Sequence, residues 1–172
     1  HACGAAVIPC GVGNTEAVVQ AMALLKATAY SGTPDYPKAL FEKAVELGLD
    51  LSGVKTLIVG AGRLFPSMRQ DYHDRGLVCL QTYGTADLGN VAYESKAMEG
   101  LITDEGVIVE IVRPGTGDPV PEGEVGEVVV TLLTNRDYPL IRFATGDLSA
   151  VMNGTSPCGR TAPRIKGWMG RA

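Results

Sequence analysis

The stretch KTLIVGAG, residues 55–62, decides the fold class of this chain. Its apolar run predicts a buried strand, its glycines predict a turn, and Pro66 suits the first turn of a following helix. A second apolar run, LVCLQT at residues 77–82, follows that helix. Because strands that alternate with helices pair in parallel, these residues predict an α/β fold, a parallel sheet with helices packed on it.

The same alternation extends upstream. AAVIPC, residues 5–10, predicts a strand, and Asn14 or Thr15 can cap the helix that follows it. TAYS, residues 28–31, predicts a short strand, after which Asp35 stands where a helix would begin. The first half of the chain therefore reads as repeated strand and helix units.

The pattern changes after about residue 90, where Gly and Pro turns separate short apolar runs. The runs at 107–112, 126–132 and 147–152 predict antiparallel strands. We expect an α/β sheet subdomain over residues 1–90 and a smaller, β-rich subdomain over residues 91–172, with the boundary between residues 88 and 100.

Composition and charge exclude several classes of protein. The chain has 172 residues, of which 45% are hydrophobic and 20% charged, with a net charge of −4. This charge argues against a nucleic-acid partner, and no apolar run approaches the roughly 20 residues that span a membrane. Because the start lacks a signal-peptide pattern, we expect a cytoplasmic protein with no membrane partner. The oligomeric state is left open.

The cysteines predict free thiols. Cys3, Cys10, Cys79 and Cys158 contain no Cys-x-x-Cys pair, and neither histidine has ligand spacing to a cysteine. Four cysteines in a chain of this length and hydrophobicity do not indicate a disulfide scaffold. Spacing alone therefore gives no zinc site.

Two glycine turns invite comparison with a dinucleotide-binding loop. Residues 60–62 (GAG) and 11–13 (GVG) each follow a predicted strand, but Phe65 and Glu16 occupy the position of the third glycine. Both therefore fail as Rossmann fingerprints and are consistent with simple strand-to-helix turns. Loops at the carboxyl ends of parallel strands remain the usual ligand-binding places of such sheets.

YGTAD, residues 83–87, follows another predicted strand. An aromatic ring, a hydroxyl and a carboxylate within five residues could stack a base, approach a phosphate and hold a hard cation. A purely structural turn accounts for the same residues equally well.

YPLIRFATGDL, residues 138–148, ends in the turn Thr145-Gly146-Asp147. A turn carboxylate can accept two hydrogen bonds from a vicinal diol, or can cap its own backbone. Arg142 lies in the apolar run, where it must pair with a carboxylate or face a polar cavity. We expect it to organise the polar floor beneath Asp147.

Taken together, these stretches resemble the phenylacetate–CoA ligase family of the adenylate-forming enzymes. The resemblance is carried by residues 60–62, 83–87, 121–131 (PEGEVGEVVVT), 139–148 and the run 164–171. It implies the central part of the large N-terminal domain of an ATP-dependent acyl- or aryl-CoA ligase. Such an enzyme forms an acyl-adenylate from a carboxylic acid and then a CoA thioester. Its cofactors and co-substrates are ATP or AMP, Mg²⁺ and coenzyme A.

The resemblance also implies a role for individual residues. Asp147 would bind the ribose hydroxyls, Tyr83 would stack on adenine, and Asp87 would hold Mg²⁺ with Thr85 beside it as the catalytic pair. The other nucleotide-binding residues would be Gly60, Ala61, Gly62, Gln81, Thr82, Gly84, Arg164 and Arg171. The pocket for the acid would include Tyr30, Tyr36, Gly89 and Val91.

The sequence departs from the family pattern at several positions. Gly62 stands where Glu is usual, Ala86 replaces a hydroxyl residue, and Asp87 is one methylene shorter than the usual Glu. Ser95 and Ser156 stand where some members carry cysteines able to hold zinc.

Two family segments are not found in this sequence, and rival functions follow from that. The phosphate loop is expected upstream and the lid with its catalytic lysine downstream, so we expect residues 1–172 alone to be inactive. The rivals are an adenylating enzyme with a non-CoA acceptor, a non-catalytic nucleotide-binding module and a Rossmann-type oxidoreductase.

Overall fold

The computed structural model describes residues 4–11 and 13–172. The helices found in those residues are α1 (Thr15–Leu24), α2 (Tyr36–Glu46) and α3 (Pro66–Asp74). The strands are β1 (Ala29–Gly32), β2 (Thr56–Val59), β3 (Val78–Thr85), β4 (Gly89–Tyr93), β5 (Leu101–Thr103), β6 (Val107–Val112), β7 (Gly126–Leu132), β8 (Phe143–Ser149), β9 (Val151–Met152) and β10 (Arg164–Ile165).

The helix starts follow from local chemistry. The Asn14 side chain accepts a hydrogen bond from the backbone N–H of Ala17 at 3.0 Å, which satisfies one of the unpaired donors of α1. Pro66 occupies the first turn of α3, where its missing N–H costs nothing. Asp35 precedes α2 as predicted, but its side chain makes no capping hydrogen bond.

One sheet has seven strands in the order β1-β2-β3-β4-β5-β10-β9. The pairs β1–β2 and β2–β3 are parallel, whereas β3–β4 and the later pairs are antiparallel. A second, three-stranded antiparallel sheet has the order β6-β7-β8. The predicted fold class, a parallel sheet with packed helices followed by a small antiparallel unit, is confirmed.

The buried side chains form two clusters. The first is built around Val19, Leu40 and Leu57 and lies between the helices and the parallel strands. The second is built around Val91 and Val130 and lies between the two sheets. Tyr83, on β3, belongs to the second cluster. The last residues of β3 therefore lie where the two halves of the chain meet.

The predicted strand at residues 5–10 is wrong. The segment is irregular, and Val7 and Ile8 are 57% and 44% exposed. No strand in the described residues pairs with it, and an unpaired extended segment gains no ladder hydrogen bonds. Cys3 and Val12, which belong to the predicted thiols and glycine turn, lie outside the described residues.

No helix in the described part of the chain has the length and apolar character needed to cross a membrane.

Candidate functional site

A buried carboxylate on β8 joins the two sheets. Asp147 is 8% exposed, and Tyr83 on β3 donates its hydroxyl proton to Asp147 Oδ2 at 3.0 Å. The indole N–H of Trp168 donates to Oδ1 at 3.0 Å, and Arg171 Nη1 donates to the same oxygen at 2.7 Å. The expected neighbours Tyr83 and Asp147 are therefore in direct contact, and we call these four residues the Asp147 cluster.

The last residues of the chain bring two members of this cluster to β8. Leu148 donates its N–H to Gly170 O at 2.9 Å and accepts at its carbonyl from Met169 N at 2.8 Å. Ala172 N donates to Gly146 O at 2.9 Å. These backbone bonds lay the segment beside β8 and fix where its side chains project.

The turn that presents Asp147 is tightly organised. The Thr145 hydroxyl donates to Val128 O at 2.9 Å and accepts from Asp147 N at 3.1 Å. Gly146 has a φ of +71°, which disfavours any residue with a Cβ, and its N–H donates to Glu127 Oε1 at 3.1 Å. The Asp147 backbone is thus held independently of its side chain.

Burial widens the pH range over which the Tyr83 hydroxyl keeps its proton. Removal from water raises the pKa of Tyr83 to about 12, the hydroxyl of Thr145 opposes this shift, and the nearby Asp147 charge adds to it. The phenol therefore remains a hydrogen-bond donor to the Asp147 carboxylate well above neutral pH.

The other predicted carboxylate, Asp87, is exposed in the turn between β3 and β4. Thr85 shapes this turn, because its Oγ1 accepts from Leu88 N at 3.1 Å. Gly84 passes so close to the Gly89 carbonyl that a Cβ at position 84 would collide with it. A bulge between Tyr83 and Gly84 accompanies this contact. Thr85 therefore acts on its own turn in this structure.

The glycine loop after β2 approaches the next strand closely. A Cβ on Gly60 would lie 2.5 Å from Thr82 Oγ1, and one on Gly62 would lie 3.1 Å from Pro34 Cδ. Ala61 has a φ of +56° and is exposed. Close approach to Thr82 therefore disfavours a larger residue at position 60, and a side chain at position 62 would require Pro34 to shift.

Gln81 and Thr82 lie on β3 just before Tyr83. Gln81 N donates to Glu94 Oε2 at 2.7 Å, and both oxygens of Glu94 accept from Arg69 on α3 at 2.9 Å. This two-pronged ion pair ties α3 to the strand that carries the predicted adenine-side residues.

The side chains of several predicted residues form no hydrogen bond to the Asp147 cluster in the part of the chain that the structure describes. Arg164 is 4% exposed, and its guanidinium donates to the backbone carbonyls of Glu99 and Asn153. Val91 has no exposed surface and packs in the second cluster. Tyr30 and Tyr36 form an aromatic pair with ring centroids 6.3 Å apart on the first half of the chain.

The expectation for Arg142 is wrong. It precedes β8, its φ is +49°, and it is exposed rather than buried beneath Asp147. Its side chain donates to Glu110 Oε2 at 3.1 Å and to Gly117 O at 2.8 Å. Of the two alternatives for a cation in this run, pairing with a carboxylate is therefore the one that occurs.

Ser95 and Ser156, which stand where some family members carry zinc-binding cysteines, both form hydrogen bonds with the thiol of Cys158. Ser156 Oγ lies 3.1 Å from Cys158 Sγ, and hydrogen bonds from the Ser156 and Ser95 hydroxyls lower the pKa of Cys158 to about 7. In the described residues no three His, Cys, Asp or Glu side chains are grouped as metal ligands. Cys10, Cys79 and Cys158 are free thiols, as predicted.

Two residues of the site were not predicted, Trp168 and Glu127. Trp168 is the only tryptophan of the chain and lies three residues before Arg171, between two glycines. That isolated aromatic residue was the available signal. Glu127 lies within a predicted strand, and nothing in its local pattern marks its bond to Gly146.

A cavity of about 680 Å³ lies elsewhere, against α2 and the segment before β2. It is open, and Phe41, Leu49 and Leu77 contribute to its lining. None of the residues predicted for a site lines it, so it plays no part in the arrangement around Asp147.

A mixed sheet and a small antiparallel sheet, joined through the hydrogen bond between Tyr83 and Asp147, agree with the fold that the family resemblance implies. The family described as "AMP-binding enzyme" matches residues 1–132, and the chain belongs to that family.

Within the family, the chain is 35% identical over 175 residues to the phenylacetate-coenzyme A ligase of Escherichia coli, covering 95% of this chain and 39% of that protein. It is 32% identical over 180 residues to the phenylacetate-coenzyme A ligase of Thermus thermophilus, covering 99% and 40%. The predicted resemblance is confirmed. The chain spans about two fifths of the length of these relatives.

The fold likeness agrees with the sequence likeness. An open conformation of 2-hydroxyisobutyryl-CoA ligase, solved with 2-HIB-AMP and CoA, superposes with a TM-score of 0.84 at 27% identity. The match covers 95% of this chain and 38% of that one.

Proposed function

We propose that this chain is the nucleotide-binding segment of a ligase that couples a carboxylic acid to coenzyme A. The enzyme would form an acyl-adenylate from the acid and ATP, release pyrophosphate, and then form the thioester. The observation that carries the proposal is the contact between Asp147 and Tyr83. The AMP-binding family match and the CoA-ligase relatives support it.

Asp147 is proposed to bind the ribose diol. A carboxylate accepts hydrogen bonds from both hydroxyls, and each such charge-assisted bond contributes about 1.5–3 kcal/mol. Burial at 8% exposure keeps competing water away from the carboxylate. Arg171, which already reaches this carboxylate, is proposed to contact ribose or phosphate when the nucleotide is bound.

Tyr83 is proposed to contact adenine with the exposed part of its ring while its hydroxyl holds Asp147. Only 8% of the residue is exposed, so this contact is narrow. The adenine base would lie beside Gly60, Ala61 and Gly62, with Thr82, Gln81 and Gly84 next to it. These roles remain proposals that rest on the family resemblance and on proximity along β2 and β3.

Asp87 is proposed to hold Mg²⁺ together with phosphate oxygens of the nucleotide. Mg²⁺ is commonly bound by one or two carboxylates plus substrate phosphates, so an exposed turn carboxylate has suitable chemistry. When bound, the ion would neutralise phosphate charge. Thr85 beside it is proposed to support the turn.

The finer predictions stay proposals as well. The acid pocket is proposed near Tyr30, Tyr36 and Gly89, and the identity of the acid is not assigned. The division at about residue 90 into two subdomains is supported by the two clusters of buried residues. The cytoplasmic location and the inactivity of residues 1–172 alone stay predictions.

The test uses the ligase that carries this sequence. Aryl and short hydroxy acids are offered with ATP, Mg²⁺ and coenzyme A, and AMP release and thioester formation are measured. We expect acid-dependent formation of both products. Omission of coenzyme A should stop both, because AMP leaves only when the thiol attacks the acyl-adenylate, whereas acid-dependent pyrophosphate release should persist for about one turnover. If AMP were released and the acyl group were transferred to an amine rather than to coenzyme A, the acceptor would be different from the one proposed. If no AMP were released in response to any acid, the ligase assignment would be refuted.

A further inference from the structure

The hydrogen bond between Trp168 and Asp147 is not explained by packing alone. Trp168 is 43% exposed, so its ring is not held by burial. Its backbone is held on one side by the bond between Met169 N and Leu148 O. On the other side Gly167 is buried, with a φ of +87° and Leu101 Cδ1 3.4 Å from where a Cβ would lie. The chain thus places a half-exposed indole with its N–H on the Asp147 carboxylate.

The carboxylate has a limited number of acceptor positions. An ionised carboxylate offers about four lone-pair positions, two on each oxygen. On Oδ1 both are taken, by Trp168 and Arg171, whereas among residues 4–11 and 13–172 only Tyr83 donates to Oδ2. A vicinal diol needs two acceptor positions, so one present partner must leave before both hydroxyls can bind.

Arg171 is the partner that can leave at least cost. Its side chain is 68% exposed, and its guanidinium would exchange its bonds to Asp147 Oδ1 at 2.7 Å and to Thr145 O at 3.3 Å for bonds to water or to a phosphate. Tyr83 is buried and Trp168 is fixed by its backbone. With Arg171 displaced, one position is open on each carboxylate oxygen, which suits two neighbouring hydroxyls.

We propose that Trp168 is a positioning residue that, with Tyr83, sets the orientation of the Asp147 carboxylate for a ribose diol, and that the diol takes the place of Arg171. The two neutral donors bond one oxygen each, so they prevent the carboxylate from rotating when Arg171 leaves. This inference rests on the proposed nucleotide-binding function.

The test is Trp168→Phe, which keeps an aromatic ring and removes the N–H donor. Binding of AMP and of 2′,3′-dideoxy-AMP to the ligase that carries this sequence is measured by calorimetry. We expect the variant to bind AMP about five- to tenfold more weakly, the loss expected for one hydrogen bond. Its affinity for the dideoxy nucleotide should be unchanged. Met169→Leu, at the exposed neighbouring residue, is the matched control and should change neither affinity.

The outcomes separate the two proposals. An equal loss of affinity for both nucleotides would mean that the ring only packs against the ligand. No loss of affinity for either would mean that the hydrogen bond from Trp168 to Asp147 does not contribute to binding. Either result overturns the proposed role of Trp168. If the unmodified ligase fails to prefer AMP over the dideoxy nucleotide, the proposed diol site itself is refuted.

A second measurement does not depend on the folding of a Trp168 variant. Residues 1–172 contain one tryptophan, so the NMR spectrum of this chain has one indole N–H signal. Asp147→Ala should shift this signal upfield and speed its exchange with solvent about tenfold or more, because the acceptor is gone. An unchanged signal would overturn the proposal.

Discussion

The two aspartates of the proposed site lie in opposite surroundings. Asp147 is buried, and its carboxylate accepts hydrogen bonds from Tyr83, Trp168 and Arg171. Asp87 is exposed, and in residues 4–11 and 13–172 no side chain donates to its carboxylate. The chain fixes the direction of the first carboxylate, whereas only the turn directs the second.

This difference matches what each ligand would require. A diol presents two hydroxyls at a fixed separation, so a carboxylate that binds it benefits from being oriented beforehand. A Mg²⁺ ion that shares phosphate oxygens brings several of its ligands with it and accepts an adaptable carboxylate. The side-chain hydrogen bonds are therefore concentrated on Asp147, the carboxylate whose proposed ligand demands the stricter geometry.

The largest expected effect contrasts the two aspartates directly. In the full-length protein that carries this sequence, Asp147→Ala should weaken AMP binding by about 2–4 kcal/mol, because both proposed diol bonds are lost. Asp87→Ala, measured without Mg²⁺, should change AMP affinity by less than about 0.5 kcal/mol, as for other exposed sites. Calorimetric titration of both variants checks this. Similar losses for the two variants would remove the contrast.

The support beneath β3 gives the second prediction. Arg69→Ala removes two hydrogen bonds from Glu94, whose side chain is only 7% exposed, and leaves that carboxylate with Gln81 N. Because Arg69 itself is partly exposed, the free energy of unfolding should fall by about 2 kcal/mol, below the cost at fully buried pairs. Chemical denaturation measures it.

Lys38→Ala is the matched control, since the Lys38–Glu42 pair is exposed on both sides. It should change stability by less than about 0.5 kcal/mol. If Arg69→Ala were equally mild, the ion pair would not be what steadies the strand that leads to Tyr83.

The sequence predicted the three helices and most strands of four or more residues, and it missed β4, β5 and β10. β6 and β7 agree with prediction because a run of six or seven residues rich in β-branched side chains, separated from its neighbours by Gly and Pro turns, marks a strand. β5 and β10 have three and two residues, and neither length carries a pattern of its own. Their pairing, Ile165 with Leu101, joins residues far apart in the chain, and local chemistry does not encode it.

The residues of the candidate site also separate into those that the sequence predicted and those that it missed. The proximity of Tyr83 and Asp147 was predicted through the family resemblance and is what the structure contains. Trp168 was missed because its partner lies 21 positions away and is reached only when the final segment pairs with β8. Arg142 was misplaced because a positive φ turns it outward before β8 begins, a backbone choice that the residue type does not reveal.

The smallest expected effect concerns the Tyr83 phenol and appears only at high pH. Burial raises its pKa to about 12, whereas an unfolded tyrosine ionises near pH 10. Between these values the unfolded chain has lost the proton and the folded chain has kept it, so the free energy of unfolding should fall as pH rises from about 10 to 12. Tyr83→Phe should show a shallower fall than the unmodified chain in denaturation series across this range.

Tyr30, Tyr72 and Tyr93, whose pKa values are also raised, remain in both proteins and cancel in the difference. Tyr138→Phe, at a 71% exposed residue, is the control and should retain the original slope. Identical slopes for all three proteins would mean that the Tyr83 hydroxyl is not enclosed beside Asp147, and the contrast between the held and the exposed aspartate would lose its structural basis.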